Sequence, residues 1–282
     1  MPAPFVPTTK EAEVPYRVLQ TAEVVQNVGE GEKAEDLKLR NIAITATKKN
    51  KSLENLMYYA TLKDGWTSAG VHKGIECFRI WNEETKSWVT RGSLNFGNKY
   101  TPLDFLDVFR DLPRYLSCDQ PMTKVYNLAE FCKSDYFVRA IYLSYRGQAV
   151  YSGRDMIAVQ HVFFLDKKRM VLVTSSIDDQ EWFGPVEKAQ RNLVRAHMYF
   201  GGVLCETLDD GTLQCTYTAN LELHTKLNKT LMQLAPHLLD VPQTLAYMKE
   251  SMDKEGVQKS LSPLRPADHP WKDASTANRA AA

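Results

Sequence analysis

Between Tyr136 and Leu221 apolar residues recur at every second position in one short run after another, which confines this stretch to β-structure. The clearest run has Leu213, Cys215, Tyr217, Ala219 and Leu221 alternating with Gln214, Thr216, Thr218 and Asn220. One face of such a strand is apolar and the other polar. The sequence Asp209-Asp210-Gly211 just before it predicts a hairpin turn. The same period predicts strands over Tyr136 to Tyr145, Asp155 to Leu165, Met170 to Ile177 and Leu193 to Phe200, with a polar turn over Asp166 to Arg169. Successive strands joined by short turns imply an antiparallel meander.

Upstream the period changes. Ser52 can cap a helix carrying Leu53, Leu56, Met57 and Ala60, and Gly65 can stop it. Ile75 to Trp81 and Ser87 to Leu94 read as strands around the polar turn Asn82 to Lys86. Thr101 followed by Pro102 opens a second helix with Leu103, Leu106, Phe109 and Leu112 on one side, which Pro113 ends or bends. Residues 1–50 read as a partly flexible extension with one short strand, Asn41 to Thr47. Downstream, Leu227, Leu231, Leu234, Leu238, Val241, Leu245, Met248 and Met252 make one long amphipathic stripe. Pro236 and Pro242 predict a kink or break in it, with Asp240 able to re-cap a second segment. From about residue 253 the Ser, Pro, Ala and charge content predicts a disordered tail. The whole reads as α+β: a curved antiparallel sheet wrapped around a long C-terminal helix.

Composition excludes several classes. The 282 residues are 44% apolar, enough for a sizeable core. Lysine and arginine number 35 against 34 acids, so no basic surplus marks a nucleic-acid binder. Met1 to Lys10 lacks the pattern of a signal peptide, and no apolar run is long enough to span a bilayer. Cys77, Cys118, Cys132, Cys205 and Cys215 are scattered and odd in number, which fits reduced thiols in the cytoplasm and no metal site. The sequons at Asn50 and Asn228 read as chance without a secretory route. There is no phosphate-binding, dinucleotide, zinc-protease or hydrolase-elbow motif, hence no cofactor and no catalytic residue. His161 and His197 fall on strands, where a satisfied sheet histidine is the ordinary reading; Cys205 with His197 could be drawn as a dyad, but nothing pairs them.

The order of short motifs between Ser52 and Met252 resembles the START lipid-binding family. Asp64-Gly65-Trp66 follows the first helix as in that family; Gly153-Arg154-Asp155-Met156-Ile157 is similar to its R-D-aromatic-V strand. Ser175-Ser176-Ile177-Asp178 resembles a strand end, Val194-Arg195-Ala196 a V-R-A strand, and Thr216-Tyr217 the approach to the last helix. The chain departs from the pattern at Ser117-Cys118-Asp119, which keeps only the acid of a tryptophan-aspartate step. It departs also at Asn220 to Leu227 and in the longer, aromatic-rich segment Glu181 to Asn192.

The resemblance implies a helix-grip domain over residues 51–252 that holds one lipid and transfers it between membranes. It implies a monomer in the cytoplasm that touches membrane surfaces transiently and is not an enzyme. Burying an acyl chain of ~16 carbons gains about 12 kcal/mol at ~0.8 kcal/mol per methylene, nearly what a bilayer offers, which suits pickup and delivery. The polar head still needs partners. Implied cavity contacts are Gln160, Met156 and Ala158 on one strand parity, Arg139 on the preceding strand, Arg195, Tyr217, and Leu231, Leu234 and Leu238 of the last helix. Arg195 and the Arg154/Asp155 pair also read as structural, and an exposed strand face is the ordinary reading for Arg139. The connection Tyr145 to Gly153 corresponds to the loop beside a tunnel mouth, expected to part from the last helix to admit lipid. The alternatives are a cyclase- or aromatase-like enzyme of related helix-grip fold, or a lipid-sensing module acting through a partner.

Overall fold

The computed structural model describes residues 34–119, 121–133, 136–147, 152–177, 192–224 and 241–257. Expectations for the first 33 residues, for 178–191, for 225–240 and for the tail beyond 257 lie outside the described residues.

Among the described residues ten strands make one sheet: β1 Thr67–His72, β2 Ile75–Asn82, β3 Ser87–Asn95, β4 Met122–Lys133, β5 Tyr136–Tyr145, β6 Arg154–Phe164, β7 Arg169–Ser176, β8 Val194–Arg195, β9 His197–Thr207 and β10 Leu213–Glu222. Their spatial order is β1-β2-β3-β10-β9-β7-β6-β5-β4, with β8 a short parallel bridge beside β6. All other pairings are antiparallel. The expected meander is therefore present, with the crossover that places β10 beside β3 closing it into a single layer.

The turns form as their residues dictate. The Asn82 carboxamide accepts from the Glu84 and Thr85 amides, the Asp166 carboxylate from Lys168 and Arg169, and Asp210 from Thr212, with Gly211 at φ +81°. In the middle of the sheet Gly202 sits at φ +146°, and a Cβ there would lie 1.8 Å from the Leu172 carbonyl oxygen. Only glycine lets β9 approach β7 at this point.

Strand parity sorts side chains onto two faces. On β5, Phe137, Ile141 and Leu143 join the main core, whereas Val138 and Ala140 join a smaller cluster with Leu39, Ile42, Ala43 and Ala46. The smaller cluster is the outer face. It is covered by α1 (Ala34–Lys49), and further along the sheet by α2 (Ser52–Thr61). The strand expected over Asn41 to Thr47 is thus helix. The β-branched run Ile42, Ile44, Thr45, Thr47 suggests a strand, but Leu39, Ile42, Ala43 and Ala46 are spaced to bury one helical face. Ser52 is not the cap of α2; Lys51 holds that position without a side-chain bond. The Ser52 hydroxyl instead contacts Ser175 Oγ at 2.9 Å and donates to the Tyr199 carbonyl at 2.7 Å, tying the helix to β7 and β9.

The inner face carries the main core, against α3 (Pro102–Arg110), α4 (Leu112–Cys118) and α5 (Thr244–Glu255). Thr101 forms the full capping box with Asp104 expected of its position. Pro113 does not simply end that helix: Asp111 accepts from the Arg114 amide and starts α4 with the proline in its first turn. The described part of the last helix begins with a 3-10 turn, Val241–Gln243, and buries Leu245, Met248 and Met252 as their spacing requires. Gln243 directly precedes α5, and the expected Asp240 cap lies outside the described residues. Arg114 holds α5 through the Ser251 hydroxyl and carbonyl, both at 2.7 Å, and Pro242 seats against Gly92, where a Cβ would meet it at 2.6 Å.

Candidate functional site

The inner face of the sheet is where a helix-grip fold would place a guest, and most of the expected contact residues point there. Cross-strand register aligns Arg139 with Gln160, Ile141 with Ala158 and Leu143 with Met156, all on the inner parity. Tyr217 lies on the same face from β10, opposite Val203 of β9. Leu231, Leu234 and Leu238 lie outside the described residues.

Arg139 is fully buried, not exposed as its strand position suggested. Its Nε donates to Gln160 Oε1 at 2.6 Å, its Nη2 to the Phe109 carbonyl at 2.9 Å and its Nη1 to the Arg110 carbonyl at 3.1 Å. The guanidinium also lies 4.8 Å from the Phe109 ring centre. It therefore caps the C-terminal end of α3, where helix carbonyls lack partners and the dipole favours a cation. Burial lowers its pKa to about 10, which leaves it charged at neutral pH. Gln160 Nε2 reaches Thr174 Oγ1 at 3.4 Å, so arginine and amide form one continuous set of bonds.

Arg195 does not join this group. Its Nε and Nη2 donate to the Asp155 carboxylate at 3.0 and 3.2 Å, and the Tyr142 hydroxyl donates to the same carboxylate at 3.0 Å. Asp155 has the opposite parity to Met156, so this cluster belongs to the outer face. Arg154, on the inner parity, donates through Nε to the Leu223 carbonyl at 2.6 Å and fixes the exit from β10. Cys205 faces Cys215, with 3.6 Å between the sulfurs, and is not paired with His197, whose ring packs on Tyr199. His161 lies on the outer parity beneath α1, where burial holds its pKa down to about 3 and the ring stays neutral.

A second polar group emerges only in three dimensions. Asp119 at the end of α4 is buried, and burial raises its carboxyl pKa to about 7, against the lowering effect of a hydrogen bond from the Tyr145 hydroxyl. The phenol of Tyr145 is buried beside it, and those of Tyr217 and Tyr115 are close enough to feel the same carboxylate; burial raises all three. These groups come from α4, β5 and β10. In sheet order β10 and β5 are four steps apart, about 19 Å across a flat sheet at ~4.8 Å per step. Tyrosines on both strands act on one carboxyl and on each other. The sheet is curved, and its inner face turns towards α3, α4 and α5.

Of this group, Tyr217 was legible as an inward residue from its strand parity. Asp119 was visible only as the acid retained in Ser117-Cys118-Asp119, and Tyr115 and Tyr145 carried no sequence signal of their own. What unites them chemically is one buried carboxyl and three phenols, each able to donate and to accept, at the edge of an apolar interior of Met156, Met198, Leu172 and Val203. Among the described residues no set of three or more His, Cys, Asp or Glu side chains could hold a metal ion.

The sequence matches no family model and no curated protein. Solved structures do match. The human StAR-related lipid transfer protein 5 aligns with a TM-score of 0.62 at 14% identity, over 77% of this chain and 99% of that one. Human STARD10 aligns at 0.55 and 15% identity, over 76% and 86%. A StAR-related lipid transfer protein fragment from Xanthomonas axonopodis aligns at 0.53 and 17% identity, over 67% and 99%. With the antiparallel sheet, its strand order and the helix on its inner face, these define the fold as START-like helix-grip.

Proposed function

We propose that this chain binds a single lipid between the inner face of the sheet and its C-terminal helix and carries it between membranes without altering it. The observation that carries this reading is the curved inner face itself, lined by the main apolar core and polar where Asp119 feels Tyr145 and Tyr217. A site for an amphiphile has that character: apolar walls with a few placed polar groups. Two of the structural neighbours, the human StAR-related lipid transfer protein 5 and the Xanthomonas axonopodis fragment, are lipid transfer proteins by name, and their fold supports the same use here.

In this reading Met156, Ala158 and Tyr217 contact the guest, with Leu231, Leu234 and Leu238 closing over it from the last helix. Arg139 and Gln160 shape the wall. The protein acts as a cytoplasmic monomer and meets membranes only at their surface; among the described residues no helix is long and apolar enough to cross one. Donor vesicles carrying a fluorescent lipid, mixed with unlabelled acceptors, test the reading. Transfer that rises in proportion to protein concentration supports it, and transfer no faster than the spontaneous rate rejects it.

One observation favours a second reading. A buried carboxyl with a pKa of about 7 is placed to exchange protons near neutral pH, as a cyclase-like enzyme of this fold would require. Mass spectrometry of the bound guest before and after incubation separates the two: a carrier returns it unchanged.

A further inference from the structure

Cys205 of β9 and Cys215 of β10 are paired in register across the seam between those strands, and both are fully buried in the main core. Their sulfurs lie 3.6 Å apart, with Cys215 donating to Cys205. Two other described cysteines are engaged differently: Cys77 donates to the Ile75 carbonyl at 3.6 Å and Cys118 to the Tyr247 carbonyl at 3.7 Å. As core residues alone, two small apolar side chains would serve in place of Cys205 and Cys215.

The backbone sets these two thiols within reach of a bond. The Leu213 amide donates to the Gly97 carbonyl at 2.8 Å and its carbonyl accepts from the Phe96 amide at 2.7 Å, so both groups turn away from β9. Cys215, two residues on, has the same parity. On β9 the Thr207 amide donates to the Lys168 carbonyl at 2.8 Å, on the side of β7, and Cys205 shares that parity. Cys205 and Cys215 therefore face each other at a non-hydrogen-bonded position, where Cα atoms lie about 4.5 Å apart and side chains are closest. A disulfide accepts Cα separations of roughly 4.4–6.8 Å. Closing the bond brings the sulfurs in to about 2.05 Å, a change that side-chain rotation supplies without moving the strands.

The position gives such a bond a consequence and an approach. In sheet order the β10–β9 seam joins β1, β2, β3 and β10 to β9, β7, β6, β5 and β4. The pair lies one inward-facing pair in from the hairpin turn, where Leu208 is exposed and Gly211 has open space around it. A hairpin end opens more readily than the middle of a sheet, so a small oxidant reaches the thiols by local opening there.

We infer that Cys205 and Cys215 are a redox modification site: a small alkyl hydroperoxide converts them to a cross-strand disulfide that fastens β9 to β10. Cys205, the acceptor of the thiol contact, takes the outer oxygen of the hydroperoxide; the O–O bond breaks, and the alcohol leaves with the thiol's proton. The Cys215 sulfur then displaces hydroxide from the Cys205 sulfenic acid. The S–S bond forms, the S–O bond breaks, and the hydroxide leaves as water with the Cys215 proton. Two thiols and one hydroperoxide thus give one disulfide, one alcohol and one water. Burial pushes the Cys215 thiol well above its ordinary value, which suits it to the second step and not the first.

The test takes the full chain, reduced and freed of reductant, and exposes it to tert-butyl hydroperoxide at neutral pH for many half-lives of a glutathione control. The products are denatured, alkylated with iodoacetamide and cleaved before aspartate, which separates the two cysteines at Asp209. The inference predicts that Cys205 and Cys215 escape alkylation to the same extent and appear as one linked pair of peptides, two hydrogens lighter than their sum, while Cys77 and Cys118 are alkylated. The linked chain should melt about 3 °C or more above the reduced one. Cys215→Ala, which keeps a small apolar side chain there, should abolish both the linkage and the rise. Cys205 and Cys215 fully alkylated after the exposure, or linked to other cysteines instead of each other, overturns the site. A linked pair with an unmoved melting temperature overturns the fastening of the seam. None of these readouts depends on a guest in the interior, so the lipid-carrier reading stands or falls separately.

Discussion

Arg139 and Gln160 face one another across β5 and β6, and the guanidinium Nε donates to the amide oxygen at 2.6 Å inside a fully buried site. No carboxylate accepts a hydrogen bond from this arginine among its described contacts; the carbonyls at the end of α3 do. Arg139→Met should leave those carbonyls and the amide unpaired in the core, at a cost of about 3–5 kcal/mol. Urea denaturation checks this. Gln160→Leu combined with Arg139→Met should cost less than the sum of the two, because they break one network.

Asp119 gives a pH signature. Its carboxyl titrates at about 7 in the folded chain, above the ordinary value of 3.8. Below pH 3.8 the group is protonated in both states and costs nothing. As pH rises towards 7 the unfolded chain ionises it first, so stability falls, by about 4 kcal/mol at most, and is then flat. Asp119→Asn should remove this decline, so the variant gains on the parent at pH 8 and not at pH 4. Melting temperatures at the two values decide it.

His161 works in the opposite sense. Burial under α1 holds its pKa at about 3, below the ordinary 6.5, so its contribution is present above pH 6.5 and lost as pH falls towards 3. At pH 4.5 the loss is roughly 2–3 kcal/mol. His161→Phe should therefore lose less stability than the parent between pH 6.5 and 4.5. The two slopes oppose each other in the parent, so each variant should expose the slope of the other group.

Gly202→Ala should prevent folding or cost at least about 3 kcal/mol, since a Cβ at φ +146° would lie 1.8 Å from the Leu172 carbonyl oxygen. Gly211→Ala, at φ +81° but with nothing within 4 Å, should cost only about 1 kcal/mol. Soluble yield and circular dichroism of the pair separate close approach from backbone strain alone.

Much of the sheet was legible because one buried face imposes a period of two. Tyr136 to Tyr145 and Leu213 to Leu221 lie where alternation puts them. β4 was missed for a physical reason: its register shifts between Met122 and Lys124 and again between Asn127 and Ala129, and each shift inverts the parity that a pattern search relies on. β1 is an edge strand with four of its six residues exposed, so it carries no apolar alternation at all. The first helix was misread because Ile and Thr favour strands locally, while burial against Val138 and Val159 decides the outcome.

The candidate site was less legible than the fold. Tyr217 follows from strand parity, and Gln160 from the family resemblance together with the parity it shares with Met156 and Ala158. Asp119, Tyr115 and Tyr145 come to act on Tyr217 only because the sheet curves, and the curvature is a property of many strands together. Arg139 read as exposed because the partner that satisfies it is the end of a helix some thirty residues earlier, a backbone feature with no residue signature.

The central claim is that one lipid occupies the interior. Native mass spectrometry of the full chain, purified without detergent from a lipid-rich host, tests it most directly. The account predicts a major species heavier than the chain by the mass of a single lipid, released intact on denaturation. A spectrum holding only the mass of the bare chain, unchanged after incubation with lipid vesicles, would contradict it.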